Sequence, residues 1–290
     1  MNILKNSKYL FLTSILLGLL IPGFAYKLEI LIMPLLVIMM TVSIKDIAFR
    51  HITKTDVEEI TSLALLNYVL LGGAYILFSF FLESPYRELI MILGIMPPAV
   101  GIITMSKVLE GNLKLSFLTE FSSYLIAVFF IPVASKFLLG AGFSVVNVLE
   151  VVALVILLPY FLSRLLHNYE LKHPRKTDYS KMIVNLSYAI TFYIIIGLNA
   201  NVIFDFAYTW KIFLILFTLK FGLGTILYLV FKNFLNKKNN VLLVLFGTLK
   251  NGGMAIAFGV LLFGVEATVP YAINGITTPL YIVYLEWLLK

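Results

Sequence analysis

The chain has 290 residues, of which 61% are hydrophobic and only 13% are charged. Soluble proteins carry about twice that charged fraction, so the composition excludes an ordinary soluble domain and predicts an all-α polytopic membrane protein in a lipid bilayer. The net charge of +7 does not indicate a nucleic-acid partner, because no extramembrane domain is predicted to carry such a site. The absence of cysteine excludes disulfides, a thiol nucleophile and cysteine-ligated metals.

Apolar segments long enough to cross a bilayer, about 20 residues each, recur along the whole chain. We expect ten spans joined by short loops, in a single integral-membrane unit without a soluble domain. The longest linker is the basic segment 165–181, which separates the first six spans from the last four. The predicted spans are 8–24, 28–44, 60–82, 88–108, 113–139, 143–164, 182–204, 209–231, 239–263 and 268–289.

Lysine and arginine residues are distributed unequally between the two sides of this predicted topology. Sixteen fall on the side of the N-terminus, four fall on the opposite side, and two fall inside spans. Under the positive-inside rule, this asymmetry predicts that both termini are cytoplasmic, and it favours an even number of spans. We therefore expect a multi-pass protein of the plasma membrane.

Two of the predicted spans are interrupted near their middles. The fourth contains Pro97, Pro98 and Gly101, and the ninth runs through Thr248 to the pair Gly252–Gly253. Proline removes a backbone donor and glycine lowers helix propensity, and broken backbone at membrane depth is tolerated only inside protein or beside a water-filled cavity. Interruptions at corresponding places in two halves favour a secondary transporter. With ten spans they predict a 5+5 inverted repeat, whose discontinuous helices 4 and 9 cross.

Three charged residues fall inside spans rather than near their ends: Glu120 in the fifth, Lys220 in the eighth and Lys250 at the second break. An ionisable group near the bilayer centre costs at least about 2.5–3.5 kcal/mol, so it normally faces the protein interior and a partner. For Lys250 a functional role is favoured, because broken backbone offers no clean helical face leading outward. For Lys220, snorkelling or a structural contact explains the residue as well as a functional role does. For Glu120, a functional role is favoured over a position near the interface.

No catalytic constellation accompanies these charges. The pair Glu58–Glu59 follows a charged loop and is better explained as a solvated helix start than as an acid/base pair. We therefore expect neither an enzyme nor a metal site, and no cofactor beyond Na⁺ or H⁺ as a coupling ion.

Two stretches resemble the bile acid:sodium symporter family. The first has Pro97, then Gly-Asn-x-x-x-Ser at 111–116, then Pro132, which is similar to the family's fourth and fifth helices. The second, Asn251-Gly-Gly-Met-Ala-Ile-Ala, is similar to its ninth helix. The resemblance implies a ten-helix secondary transporter, with a core domain at about 60–139 and 209–289 moving against a panel domain at about 8–44 and 143–204. Substrate would lie between the two domains.

The residues that bind sodium in that family are largely replaced in this chain. Where the fourth helix carries a Ser-Asn pair, this chain has Ile102 and Ile103, which offer no side-chain oxygen. The Ser and Thr that the fifth helix gives to the same ion correspond to Ser116 and Glu120. Hard cations need several oxygen ligands, so the resemblance implies a weakened sodium site.

The ninth-helix ligands are replaced as well. A Glu before the crossing, which serves both sodium ions, and a Gln four residues later correspond to Phe246 and Lys250, while a third-helix Gln corresponds to Asn67. We interpret Lys250 as a tethered cation in the place of a sodium ion, with Glu120 as its counter-charge. The two are expected to meet, directly or through one water, in at least one transport state.

These features favour a secondary active transporter that moves a small organic anion by alternating access, either coupled to protons or uncoupled. A sodium-coupled symporter with other ligands stays open, as do an integral-membrane enzyme and a channel. The sequence defines neither the substrate nor the oligomeric state. The expected transport core comprises Glu120, Lys250, Asn251, Gly252, Gly253, Ser116, Asn67 and Lys220.

Overall fold

The computed structural model describes residues 7–45, 53–139, 145–172, 179–203, 205–264 and 267–289, and these residues form helices joined by short turns, with no strand. The centre of the basic linker, at 173–178, the start of predicted span six and the last residue of span seven lie outside these ranges. The labelled helices are α1 Ser7–Leu20, α2 Pro22–Ile44, α3 Lys54–Ser79, α4 Tyr86–Ile95, α5 Ile102–Val108, α6 Leu113–Leu138, α7 Val146–Lys172, α8 Ser180–Leu198, α9 206–231, α10 Lys237–Thr248, α11 Gly252–Phe263 and α12 Val269–Leu289.

Six of the helices in the described ranges are long and apolar enough to cross a membrane: α2, α3, α6, α7, α8 and most of α9. Large apolar side chains also cover the outer surface, with Ile30, Phe129 and Phe137 each more than three-quarters exposed. Apolar surface of this extent marks contact with lipid rather than water. The chain is therefore an all-helical, membrane-embedded protein.

Both predicted helix interruptions are present. The first lies between α4 and α5, where Met96 is extended because the residue before a proline avoids helical dihedrals. The second lies between α10 and α11, where Leu249 is also extended. The two extended segments pair with each other through an antiparallel bridge between Pro98 and Lys250, and the Asn251 amide donates to the Pro97 carbonyl at 2.8 Å. The prediction that the two breaks meet is confirmed.

The interrupted helices lie at the centre of the protein. Residues 89–95 of α4 are all buried, and residues 254–258 of α11 are at most 1% exposed. A helix that is buried on every side is packed within protein rather than against solvent or lipid. Neighbouring helices therefore surround the broken backbone and can supply the hydrogen bonds that it lacks.

The backbones of α3 and α4 are in close contact at Gly72, but the next residue, Gly73, faces open space. A Cβ atom on Gly72 would lie 2.8 Å from the Gly94 carbonyl oxygen, whereas one on Gly73 would meet nothing within 4 Å. We predict that Gly72→Ala lowers the free energy of unfolding by about 1–3 kcal/mol through overpacking. Gly73→Ala should be neutral or slightly stabilising because alanine favours the helix. Thermal unfolding in detergent measures both, and equal effects would contradict the described packing.

Candidate functional site

The Lys250 ammonium group lies inside the protein, where the two helix breaks meet. It donates to the Asn67 Oδ1 atom at 2.9 Å and to the Met96 carbonyl at 2.9 Å, and its Nζ atom lies 5.0 Å from the centre of the Tyr68 ring. The residue is only 7% exposed. All three neighbours present negative charge density to it, so they form a cation site that is filled by a side chain of the chain itself.

The Met96 carbonyl needs this donor because α4 ends there. The last carbonyls of a helix have no partner within the helix, and Pro97 and Pro98 supply no backbone N–H to replace one. The same end carries the negative end of the helix dipole, which favours a nearby cation. Lys250 therefore satisfies a hydrogen-bond acceptor and neutralises partial charge at one buried helix end.

Asn67 performs the corresponding task for the other broken helix. It lies in a π-helical segment of α3, Leu66–Leu71, and it is fully buried. Its Nδ2 group donates to the Phe246 carbonyl at 2.7 Å and the Leu249 carbonyl at 3.2 Å, at the C-terminal end of α10. Because its Oδ1 atom accepts from Lys250, one Lys–Asn unit caps both helix ends at the crossing. The π-helical turn, which shifts side chains around the helix axis, was not visible in the sequence.

Asn251 begins the second half of the interrupted pair. Its Oδ1 atom accepts from the Met254 amide at 3.0 Å and so caps the N-terminus of α11, while its Nδ2 group donates to the Tyr124 hydroxyl. The glycines that follow allow side chains from other helices to approach closely. A Cβ atom on Gly252 would lie 2.7 Å from Asn274 Nδ2, and one on Gly253 would lie 2.8 Å from Met39 Cε. In this conformation α2 and α12 close over the N-terminus of α11.

Lys220 occupies a second buried site, and at 2% exposure it does not snorkel to water. It lies in another π-helical segment, Thr218–Gly222, and donates to the Asn274 carbonyl at 3.2 Å and to the hydroxyls of Thr277 and Thr278 at 2.7 and 2.8 Å. Both hydroxyls donate their own hydrogens to carbonyls of α12. Three oxygen atoms of α12 therefore surround the Lys220 nitrogen inside the protein. The structural contact left open by the sequence is present.

Glu120 is 1% exposed, and neither of its carboxyl oxygens accepts a hydrogen bond of normal geometry in the described part of the chain, although the Ile103 N–H lies near the carboxyl group. No ion pair joins it to Lys250 in this conformation, so the expected direct contact is absent here. Tyr68 provides the physical reason, because its ring faces the Lys250 ammonium while its hydroxyl donates to the Ser123 carbonyl of α6 at 2.7 Å. The tyrosine thus stands between the lysine and the helix that carries Glu120. Glu120 itself is enclosed by protein rather than exposed on the outer surface.

The remaining predicted residues lie around these clusters. Ser116 donates to the Leu113 carbonyl in the first turn of α6. Thr248, the last residue of α10, donates to the Val244 carbonyl and accepts from the Tyr281 hydroxyl at 2.9 Å. Gly101 immediately precedes α5, and a Cβ there would meet nothing within 4 Å.

Sequence reasoning missed several polar side chains at the site. Tyr68, Tyr124 and Asn274 contact the crossing or its lysines, and Tyr188 lies near Gly252. Tyrosine in a membrane protein is expected at the lipid interface, so these rings gave no separate signal. Asn274, an amide in the middle of a predicted span, was the one detectable hint. An apolar groove of about 470 Å³ between α2 and α7 lies elsewhere and is lined by residues such as Val37, Leu162 and Tyr169.

No family model matches the chain, and no curated protein matches it. The function is therefore inferred from the helix crossing and its buried charges.

A double-mutant cycle tests the partners of Lys250. Lys250→Met and Asn67→Leu should each lower the free energy of unfolding, because each leaves a buried partner unsatisfied at a cost of about 1–3 kcal/mol. Combining them should cost less than the sum, since the double variant leaves fewer stranded groups. Thermal unfolding in detergent measures the cycle.

Two comparisons control this cycle. Lys107→Met, at an exposed lysine, should change stability little. Lys250→Met combined with Glu120→Gln should give additive effects if the described conformation predominates. Additivity between positions 250 and 67, with coupling between 250 and 120 instead, would contradict the arrangement.

Proposed function

We propose that this chain is a secondary transporter that moves a small organic anion across a membrane by alternating access. The observation that carries the proposal is the pairing of two interrupted helices inside a membrane-embedded protein, with both broken ends capped by Lys250 and Asn67. Interrupted helices place unpaired backbone and dipole ends at membrane depth, where transporters bind solutes and ions. A protein that needed only a stable fold would be better served by continuous helices.

Equal spacing of structural features supports an inverted repeat of five plus five helices. Helices α3 and α9 begin at residues 54 and 206, their π-helical segments begin at 66 and 218, and the bridge joins residues 98 and 250. Each pair is 152 residues apart (206 minus 54, 218 minus 66, 250 minus 98). An antiparallel contact between equivalent residues is what a two-fold axis between the halves produces. With the excess of basic residues on one side, this repeat supports ten spans and cytoplasmic termini.

The same architecture accounts for the resemblance to the bile acid:sodium symporter family. Residues aligned with one group of sodium ligands, Asn67, Phe246 and Lys250, are in contact. Two residues aligned with the other group also lie close together, because the Ile103 N–H is near the Glu120 carboxyl group. Lys250 then takes the place of a dissociable cation, with neutral acceptors rather than Glu120 around it. We infer from this replacement that sodium does not drive the transporter.

The proposed substrate position lies between the N-terminus of α11 and the helices that close over it. Met39 and Met40 of α2 and Tyr188 of α8 approach Asn251 and the two following glycines. The N-terminal end of a helix favours negative charge. The buried ammonium groups of Lys220 and Lys250 outnumber the one carboxyl group of Glu120, so the interior favours an anion over a cation.

Sodium independence can be tested without knowing the substrate. We predict that replacing choline chloride with sodium chloride at constant ionic strength leaves the thermal unfolding midpoint of the purified protein unchanged, because a bound ion would stabilise the native state by mass action. Repeating the comparison with a panel of carboxylates, keto acids and steroid acids should identify a stabilising anion in either salt. A saturable sodium-specific stabilisation would contradict the replacement of the cation site by Lys250.

Alternating access can be tested by cysteine labelling, because the natural chain has no cysteine. We predict that Met39→Cys, which is buried against Gly253, reacts with a membrane-impermeant thiol reagent applied to either side of proteoliposomes. Phe129→Cys, on the exposed apolar surface, should react from neither side. Reaction of Met39→Cys from one side only, or from neither, would contradict a transport pathway between α2 and α11.

A further inference from the structure

Glu120 is the buried ionisable group that the proposed function leaves without a role. Its neighbours on α6 are also unsatisfied: the hydroxyls of Thr119 and Ser123 are buried and have no hydrogen-bond partner in the described part of the chain. Both residues lie within one turn of Glu120 on the same helix. A carboxyl group and two hydroxyls without partners are more than an ordinary core leaves unpaired, so the cluster needs an explanation.

No described positive side chain compensates a negative charge at this position. Helix α6 packs against α3, α4, α5 and α7. The Ile103 N–H lies near the Glu120 carboxyl group, and Tyr124, one turn later on α6, has Asn251, Tyr68 and Tyr188 around its hydroxyl. None of the charged or ionisable side chains described on α6 and on these packed helices forms an ion pair with Glu120: Lys54, Asp56, Glu58, Glu59, Arg87, Glu88, Lys107, Lys114, Lys136, Glu150, Arg164, His167, Glu170 and Lys172.

An ionised carboxylate that is buried without a cation, and with only the Ile103 N–H near it, is strongly unfavourable, whereas the neutral acid is tolerated far better. We propose that Glu120 is a proton-binding site, loaded in this conformation, and that release of its proton shifts the transporter between access states. The link between proton release and access states rests on the proposed function. Proton binding by Glu120 does not, because it follows from the burial of the carboxyl group and the lack of a cation near it.

Tyr124 links this site to the helix crossing. It lies one turn after Glu120, and its hydroxyl oxygen accepts from Asn251 Nδ2. Asn251 in turn caps α11 and donates its backbone amide to Pro97. No described acceptor takes the Tyr124 hydroxyl hydrogen. Tyr124 and Ser123 lie four and three residues after Glu120 and so on the same face of α6, where an ionised Glu120 can attract the Tyr124 hydroxyl hydrogen. Such a shift would alter the hydrogen bond between Tyr124 and Asn251 at the crossing.

Proton occupancy can be measured directly by infrared difference spectroscopy on the protein in lipid, in H₂O and D₂O. We expect a buried carboxylic-acid C=O band at neutral pH that is lost in Glu120→Gln and displaced but retained in Glu120→Asp. Glu110→Gln removes an exposed carboxylate and should leave the band in place. Absence of a band attributable to Glu120 at neutral pH would overturn the proton site, whatever the protein transports.

Coupling between Glu120 and the access state is measured by labelling Met39→Cys in the parent, in Glu120→Gln and in Glu110→Gln. At each pH the labelling rate from one side is divided by the rate from the other, because the ionisation of the thiol affects both rates equally. We expect this ratio to change at least about fivefold with pH, a typical lower value for coupling between sites. It should be independent of pH when Glu120→Gln is added, and Glu110→Gln should behave like the parent.

The two proposals fail in different ways. A pH-dependent ratio that persists in Glu120→Gln, or a ratio that never changes with pH in the parent, would overturn the coupling role. Labelling from one side only in every background would instead contradict the transport proposal, and the infrared result would still decide whether Glu120 holds a proton.

Discussion

The structure depends on how the backbone carbonyls at two helix ends find hydrogen-bond donors in the middle of a membrane protein. α4 and α10 stop inside the protein, and their last carbonyls have neither water nor a continuing helix to pair with. Lys250 and Asn67 supply the missing donors from a single connected unit. The antiparallel bridge, the packing of α11 and the approach of α2 all follow from the position at which those ends meet.

A lysine differs from a metal ion in one respect that matters for transport. A bound cation can dissociate and return, so its gradient can drive a conformational cycle, whereas an ammonium group stays tethered to its helix. The contacts of Lys250 with carbonyl and amide oxygens give it the structural role of such an ion without the exchange. If a gradient drives this protein, another group must bind and release the coupling ion, and Glu120 is the buried candidate without a partner.

Much of the architecture could be predicted because its physical causes are local. Apolar runs define the spans, and proline or paired glycine marks where a helix cannot continue. The partners of Lys250 could not be predicted in the same way. They depend on π-helical turns that rotate Asn67 and Lys220 inward, and on Tyr68 standing between Lys250 and α6. The resemblance grouped Asn67 with Phe246 and Lys250, but the Glu120–Lys250 contact assumed that nothing lay between two opposite charges.

The most direct test of this account is the state of the Lys250 side chain in the membrane. Solid-state NMR of protein labelled with ¹⁵N-lysine and ¹³C-methionine in lipid, with Lys250 assigned by its loss in Lys250→Met, reports both protonation and contact. The account predicts an ammonium resonance that shows through-space transfer to the Met96 carbonyl carbon. A neutral amine resonance, or an ammonium without contact to Met96, would contradict the claim that a tethered cation holds the two broken helices together.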